Sequence, residues 1–297
     1  MVVIAGTPWS AGRLGTRGHA RILFGRTYED AEIERLAFRE KGRVFCIASA
    51  GCTPILLSQE HEVVACDINP AQLRYAQRRI QGGDAIEGEA ERAMCMARAL
   101  SRLAGWSRRT LRTFLEFSDV NEQAVFWRER LDTLRFRAGL DAILSRTALR
   151  AVYAREFLSV LPPRFGEVMR NRLERGFGRH ANAANPYARA LLLGELPGTP
   201  RKAKPERVQF VLADAAGYLE RCPPRSFEAF SLSNILDGAG PAYSHRLRCA
   251  VRHAAAPNAV VVLRSFEQPP PELDTNFAED DRSLLWGRID VCPASRF

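Results

Sequence analysis

The strongest constraint on the fold is an alternation of strand and helix patterns over residues 28–80. YEDAEIERLAFRE, from Tyr28 to Glu40, predicts a helix, and RVFCIASAG predicts a buried strand that enters a turn of small residues. Thr53 to Ser58 predicts a short helix, HEVVACDINP a second buried strand, and PAQLRYAQRRI a helix with Pro70 near its start. Parallel sheets with helices on both faces are built from such an alternation. We therefore predict an α/β, doubly wound fold.

The pattern changes over residues 85–205, where apolar residues recur at helical spacing and no strand pattern is evident. Strand patterns return afterwards in VQFVLADAAG, FEAFSLSNIL, AVVVLRSF and LLWGRIDVCP. We expect residues 1–84 and 206–297 to form one α/β domain. Residues 85–205 are then a large helical insertion, a substrate or lid domain between the second and third core strands.

The charge of the chain is unevenly distributed. The net charge is +9, and the 43 basic residues comprise 40 Arg and three Lys. Residues 91–205 contain 22 basic and 11 acidic residues, a net charge of +11 that accounts for the whole excess. Basicity can indicate nucleic-acid or membrane-surface binding. Because no nucleic-acid-binding motif is present, we expect no nucleic-acid partner.

Cysteine usage and hydropathy indicate the compartment. The seven cysteines are scattered, odd in number and never spaced as CxxC, which argues against a disulfide framework and against a zinc site. No apolar run reaches the roughly 18 residues of a membrane-spanning helix, and the N-terminus has no signal-peptide pattern. We expect a cytoplasmic protein that holds no metal.

A small-residue turn and two acidic strand ends predict a nucleoside site. The turn ASAGCTP allows a ligand to approach the backbone, and the next helix presents free N–H groups. Asp67 lies sixteen positions after Gly51 at the tip of the second strand, where a carboxylate can accept hydrogen bonds from a ribose diol. Asp214 ends the strand VQFVLAD, next to an expected adenine edge. A bare tight turn and a helix-capping Asp67 remain open alternatives. The absence of GxGxxG favours S-adenosylmethionine over a nicotinamide dinucleotide.

Five short motifs occur in a characteristic order over residues 25–291. They are TYEDAEIE, CIASAGCTP with VVACDINPAQLRYAQRRI, NPYARALLLGE, FSLSNILDG and DRSLLWGRIDV. Together they resemble the betaine-lipid synthase family, the S-adenosylmethionine:diacylglycerol 3-amino-3-carboxypropyltransferases. The resemblance implies a class I methyltransferase-like, Rossmann-type sheet.

The chain departs from the family in one motif. Relatives often have Asp-His-Met-Asp-Trp where this chain has Asn234-Ile235-Leu236-Asp237-Gly238. The chain also looks shorter than the lipid-making relatives. Both differences argue against diacylglycerol as the acceptor and leave the cofactor half of the resemblance intact.

The resemblance implies attack at Cγ of the aminocarboxypropyl chain of S-adenosylmethionine, with release of methylthioadenosine. It implies the following cofactor-binding residues: Glu29, Asp30, Ser49, Ala50, Gly51, Asp67, Ile68, Asn69, Gln72, Asp214, Ala215 and Arg282. The expected catalytic residues are Tyr187, Ser231, Ser233 and Asn234. Arg282 is the candidate for the amino-acid carboxylate, and the ring of Tyr187 for the sulfonium. A surface ion pair for Arg282, a core role for Tyr187 and helix caps for Glu29 and Asp30 stay open.

Three hypotheses about the function remain. The nucleophile is an external small molecule, or it is the substrate's own amine, which would close azetidine-2-carboxylate. Alternatively the protein is an ordinary methyltransferase or a non-catalytic adenosine-binding protein. Diacylglycerol as the acceptor would predict an apolar groove on the insertion, and only then peripheral membrane contact. His180 is a candidate base or a structural residue, and the oligomeric state is open.

Overall fold

A computed structural model of the chain describes residues 19–195, 203–269 and 276–297. Within these ranges six strands form one sheet in the order β3-β2-β1-β4-β5-β6. Neighbouring strands are parallel except for β5 and β6, which are antiparallel. The strands are β1 (Arg43–Ile47), β2 (Glu62–Asp67), β3 (Val208–Leu212), β4 (Phe227–Ser231), β5 (Ala255–Ser265) and β6 (Arg288–Pro293). All six fall where the sequence predicts strands.

Helices flank this sheet and fill the stretch between β2 and β3. In the described residues the α-helices are α1 (Glu32–Ala37), α2 (Cys52–Leu57), α3 (Pro70–Ile80), α4 (Glu89–Ser101), α5 (Arg108–Leu115), α6 (Val120–Phe126), α7 (Leu134–Ile143), α8 (Arg146–Leu149), α9 (Arg155–Leu158), α10 (Phe165–Phe177), α11 (Pro186–Leu193), α12 (Ala215–Leu219) and α13 (Pro241–Ala254). The result is a mixed α/β architecture with a mostly parallel sheet, compatible with a Rossmann-like fold.

Two Asn-Pro pairs fix helix starts. The Asn69 side-chain oxygen accepts hydrogen bonds from the backbone N–H groups of Ala71 and Gln72 at the start of α3. Asn185 caps α11 in the same way. Proline in the first turn loses no intrahelical hydrogen bond, so each pair specifies a sharp helix beginning.

The first helix is shorter than the predicted Tyr28–Glu40 segment. It covers Glu32–Ala37, because backbone carbonyls before it bind side chains from distant parts of the chain. The Tyr28 carbonyl accepts from the Trp286 indole at 3.0 Å, and the Glu29 carbonyl accepts from the Tyr187 hydroxyl at 2.8 Å. These tertiary hydrogen bonds replace those of an additional helical turn.

The two faces of the sheet carry separate apolar clusters. Phe45 and Phe230 pack with α12 and α13 on one face. Val44 and Cys46, whose side chains alternate with Phe45 along β1, pack on the other face. Burial on both faces explains why the strands read as continuous apolar runs.

The residues described between α3 and β3 form helices and connecting turns. Five large aromatic side chains make the centre of this segment: Trp106, Phe114, Trp127, Phe136 and Phe177. Arg172 on α10 connects the segment to the sheet by donating to the carbonyl of Leu285 at 2.8 Å and of Phe266 at 2.7 Å. The division of the chain into two domains at residues 84 and 206 stays a prediction, and residues 1–18 and 196–202 lie outside the described residues.

Candidate functional site

A cleft opens where the loops after β1, β2, β3 and β4 meet. The strand order reverses between β1 and β4, and ligands of open α/β sheets bind at such switch points. Asp67, Asp214, Ser233 and Asn234 line the cleft together with Ser49. Its volume is about 80 Å³.

The turn after β1 has an unusual backbone. Ser49 has φ 44° and Gly51 has φ 86°, both in the left-handed region. That conformation is costly for Ser49 and easy for Gly51. The buried Ala50 lies between them, and its carbonyl accepts from Arg79 at 3.4 Å. Of these three turn residues, Ser49 lines the cleft.

Asp67 is anchored by backbone N–H groups of the loops after β1 and β2. Its carboxylate accepts from the Ser49 N–H at 3.1 Å and from the Asn69 N–H at 2.9 Å. Burial raises the pKa of Asp67 to about 6, while the backbone N–H donors of Asn69, Ser49 and Ile68 oppose that rise. The carboxylate and Ile68 line the cleft at the position expected for a ribose diol.

Two of the expected cofactor-binding side chains also hold the N-terminal segment. The Gln72 oxygen accepts from Leu23 at 2.8 Å and from Phe24 at 3.2 Å, and its amide donates to Ser49 O at 2.9 Å. The Asn69 amide donates to the Arg21 carbonyl at 2.7 Å. Both residues border the cleft, and their hydrogen bonds fix its rim.

Asp214 combines a helix cap with a cleft position. It accepts from the Gly217 N–H at 2.8 Å and so begins α12, and it also accepts from the Tyr243 hydroxyl at 2.7 Å. Arg246 lies 3.3 Å from the same carboxylate. Ala215, the next residue, also lines the cleft. A hydrogen bond from an adenine edge to Asp214, as predicted, would therefore compete with the three partners that this carboxylate already has.

The loop after β4 forms the opposite wall. Ser233 has φ 53°, and its hydroxyl donates to Glu29 Oε1 at 2.5 Å. The Asn234 amide donates to Asp237 at 3.1 Å. Ser231 is buried and donates to Glu34 Oε1 at 2.7 Å. Ser233 and Asn234 thus lie in the cleft wall, whereas the hydroxyl of Ser231 is engaged behind it.

Behind this wall lies a buried group of charges that we term the ionic cluster. It comprises four acidic and two basic residues: Glu29, Asp30, Glu34, Asp281, Arg264 and Arg282. Arg264 contacts both Glu34 oxygens, at 2.5 and 2.8 Å, and neither side chain is exposed. Its guanidinium also lies 3.7 Å from Glu29 and 3.5 Å from Asp281.

Carboxyl groups outnumber guanidinium groups in this cluster, and this excess affects the pKa values of its members. Burial raises the pKa of Glu29 to about 7, since the nearby Arg264 charge and the Ser233 hydroxyl compensate only in part. Burial also raises the pKa of Asp281. Burial alone would lower the pKa of Arg264, but Glu34, Glu29 and Asp281 raise it.

The cluster brings together motifs that are far apart in the sequence. Arg282 pairs with Asp30, with Nη2 2.8 Å from Oδ1. The Tyr187 hydroxyl donates to the Glu29 carbonyl, and Asn185 donates to the Arg282 carbonyl at 2.9 Å. The Glu-Asp, Asn-Pro-Tyr, Ser-x-Ser and Asp-Arg-Ser elements therefore meet at one place. Burial, with Asp30 and Asp281 adding to it, raises the pKa of Tyr187.

Arg264, Glu34 and Asp237 are the residues that the sequence analysis missed. Arg264 interrupts the apolar run AVVVLRSF, and a charge inside a buried strand was the signal for it. Asp237 accepts from Ser265 at 2.6 Å and from the Phe266 N–H at 3.2 Å, and burial raises its pKa to about 6. Arg264 and Asp237 both lie behind the Ser233–Asn234 wall.

His180 is held away from these groups. Its ring Nε2 lies 2.8 Å from the carbonyl oxygen of Glu279, which favours a structural role for this histidine. No cluster of three or more potential metal ligands occurs in the described ranges. Among the helices of the described part of the chain, none is both long and apolar enough to cross a membrane.

Comparisons with protein-family models, with curated proteins and with solved structures each found no match to this chain.

Proposed function

We propose that the protein is an S-adenosylmethionine-dependent enzyme that acts at Cγ of the 3-amino-3-carboxypropyl group and releases methylthioadenosine. The nucleophile is the substrate's own amine, which closes azetidine-2-carboxylate, or an external small molecule. The class I methyltransferase-like assignment of the sheet belongs to the same proposal. The observation that carries it is the charge of the cleft.

That charge favours a cationic nucleoside. Asp67 and Asp214 line the cleft, Glu29 lies behind Ser233, and no Lys or Arg lines it among the described residues. A pyrophosphate would meet carboxylates without a cation to bind it, whereas a sulfonium and an ammonium would be attracted. A dinucleotide cofactor therefore fits this chain less well than S-adenosylmethionine does.

The β1–β3 side of the cleft suits the adenosine part. Asp67 would accept hydrogen bonds from the ribose hydroxyls, and the backbone of the Ser49–Gly51 turn would face the amino-acid end. Arg282 remains the candidate for the substrate carboxylate, although it pairs with Asp30 and does not itself line the cleft.

The β4 side suits the reacting chain. In the cyclisation the amine lone pair forms the N–Cγ bond while the Cγ–S bond breaks, and its electrons stay on sulfur as methylthioadenosine leaves. All three carbons on a sulfonium are electrophilic, so alignment decides which one reacts. Ser233 and Asn234 offer polar groups for the amine, and the Tyr187 ring is the candidate for the sulfonium.

A lipid acceptor is the second candidate, and one observation favours it. A cavity of about 470 Å³ lies in the helical segment. Leu149, Leu158 and Leu161 line it, with Arg146 and Arg164 in its wall. Its leucine side chains suit an acyl chain. Transfer to diacylglycerol would use this cavity, whereas cyclisation would not.

One experiment separates these functions. Pure protein is incubated with S-adenosylmethionine alone, then with diacylglycerol vesicles, and the products are identified by mass spectrometry. Methylthioadenosine and azetidine-2-carboxylate without an acceptor support cyclisation, and methylthioadenosine only with vesicles supports lipid transfer. S-Adenosylhomocysteine as the product would overturn Cγ chemistry and indicate a methyltransferase.

A further inference from the structure

Glu29 is the one carboxyl of the ionic cluster that is hydrogen-bonded to a side chain in the cleft wall. Its Oε1 accepts from Ser233 Oγ at 2.5 Å, and Ser233 lines the cleft. Glu34, by contrast, is engaged by Arg264 and by the buried Ser231. The Ser233–Glu29 pair thus links the cleft to the buried charges.

We propose that Glu29 accepts the proton of the substrate ammonium through the Ser233 hydroxyl. This inference rests on the proposed function and adds the base that the cyclisation requires. Ser233 Oγ takes a proton from the ammonium as its own proton passes to Glu29, so the hydroxyl is regenerated. The free amine then attacks Cγ, the Cγ–S electrons stay on sulfur, and the ring nitrogen keeps its two remaining protons. Glu29 releases the single proton to solvent before the next cycle.

The surroundings of Glu29 hold its acidity close to neutral. Arg264 from β5 lies 3.7 Å away and stabilises the carboxylate, as does the Ser233 hydroxyl from the loop after β4. Glu34 from α1 and Asp281 from the C-terminal loop act against ionisation. Tyr187 from α11 binds only the Glu29 backbone carbonyl. With the effect of burial included, the pKa of Glu29 is about 7. Near neutral pH a carboxylate with this pKa is partly ionised and can still accept a proton.

The test compares Glu29→Gln and Ser233→Ala with the wild type. Methylthioadenosine release at saturating S-adenosylmethionine is measured from pH 5.5 to 9. We expect the wild-type rate to rise with pH and then to level off. The rate of each variant should be about 100-fold lower or more, and it should no longer level off near neutral pH. Ser58→Ala is the control, because it removes a buried hydroxyl that donates to the Ile55 carbonyl at 2.9 Å outside the cleft, so it should leave the midpoint of the pH profile in place.

A second readout is independent of turnover. Calorimetry of S-adenosylhomocysteine binding at pH 7 in buffers of different ionisation enthalpy counts the protons released. An ammonium beside Glu29 favours its carboxylate, so the wild type should release protons on binding and Glu29→Gln should release fewer. Ser233→Ala covers the case in which Glu29→Gln fails to fold, as judged by circular dichroism.

The outcomes separate the two proposals. If wild-type protein forms methylthioadenosine while folded Glu29→Gln and Ser233→Ala keep its pH profile, the relay is wrong and the proposed function stands. If wild-type protein forms none under any condition, the proposed function fails and the relay with it.

Discussion

The two walls of the cleft hold carboxylates in different ways. On the β1–β3 side, Asp67 and Asp214 each accept backbone N–H groups from residues within eighteen positions, and each is near a helix start. On the β4–β5 side, Glu29 and Glu34 depend on Arg264, more than 220 positions away in the chain. The first wall is built from local turns, and the second is built from long-range ion pairs.

Under the proposed function, this difference would separate binding from alignment. Backbone donors cannot be lost by side-chain substitution, so the first wall tolerates substitution and would suit the adenosine part of the ligand. The second wall has a carboxyl excess that one substitution can unbalance, because a buried charge without its partner is strongly unfavourable. We expect the largest effects of mutation on stability at the second wall.

Arg264→Met should give the largest effect on stability. It leaves Glu29, Glu34 and Asp281 buried without their shared cation, and breaking a buried pair in this way costs about 3–5 kcal/mol. The free energy of unfolding is measured by urea denaturation at pH 7.5. The variant should regain stability on acidification, as the stranded carboxyls become neutral.

Arg179→Ala is the matched control for Arg264→Met. Arg179 also pairs with two carboxylates, Glu279 at 3.3 Å and Asp280 at 2.6 Å, but its side chain is 49% exposed. Exposed pairs of this kind contribute about 0.2–1 kcal/mol. Equal losses for the two variants would show that burial does not distinguish the ionic cluster.

The same contrast decides what could be read from the sequence. The six strands, the Gly51 turn and the position of Asp67 follow from apolar runs and neighbouring residues, which the sequence displays directly. Two other features do not follow from the local sequence: the length of α1, and the hydrogen bond between Gln72 and Leu23. Each depends on groups that come near one another only when the chain folds. Arg264 is visible as a charge inside an apolar run, but nothing local in the sequence reveals Glu29 and Glu34 as its partners.

The pH dependence of stability should differ between wild type and Glu29→Gln. The pKa of Glu29 is about 7 in the folded chain and 4.5 as its ordinary value, so the folded state binds its proton more tightly. The resulting contribution of Glu29 to the free energy of unfolding is complete below pH 4.5 and is lost as the pH rises through 7. Its total is about 3 kcal/mol.

The measurement is the difference between the two unfolding free energies from pH 4.5 to 8. Asp67 and Asp237, whose pKa values are also raised, remain in both proteins, and their contributions cancel. The wild type should lose stability relative to Glu29→Gln as the pH rises. A constant difference would show that Glu29 is not shifted in the folded protein.

Asp67→Ala tests the first wall through binding. If its carboxylate holds the ribose diol, S-adenosylmethionine affinity should fall by about 1.5–3 kcal/mol, tenfold or more. Asp119→Ala removes the α6 cap outside the cleft and should lower stability by about 0.5–2 kcal/mol with no change in affinity. Calorimetry and urea denaturation of both variants separate the two roles, and unchanged affinity in folded Asp67→Ala would exclude the ribose contact.

Tyr187→Phe should give the smallest effect and shows which part of this residue matters. The change removes only the hydroxyl that donates to the Glu29 carbonyl at 2.8 Å, so the free energy of unfolding should fall by about 1 kcal/mol. The ring stays in place, and if it faces the sulfonium the variant should keep most of the wild-type turnover. Tyr187→Ala should lower turnover far more than affinity, since alignment of Cγ is lost while the adenosine contacts at the first wall persist. Methylthioadenosine release and S-adenosylmethionine affinity are measured for both variants. Equal turnover in the two would assign Tyr187 to the support of Glu29 alone.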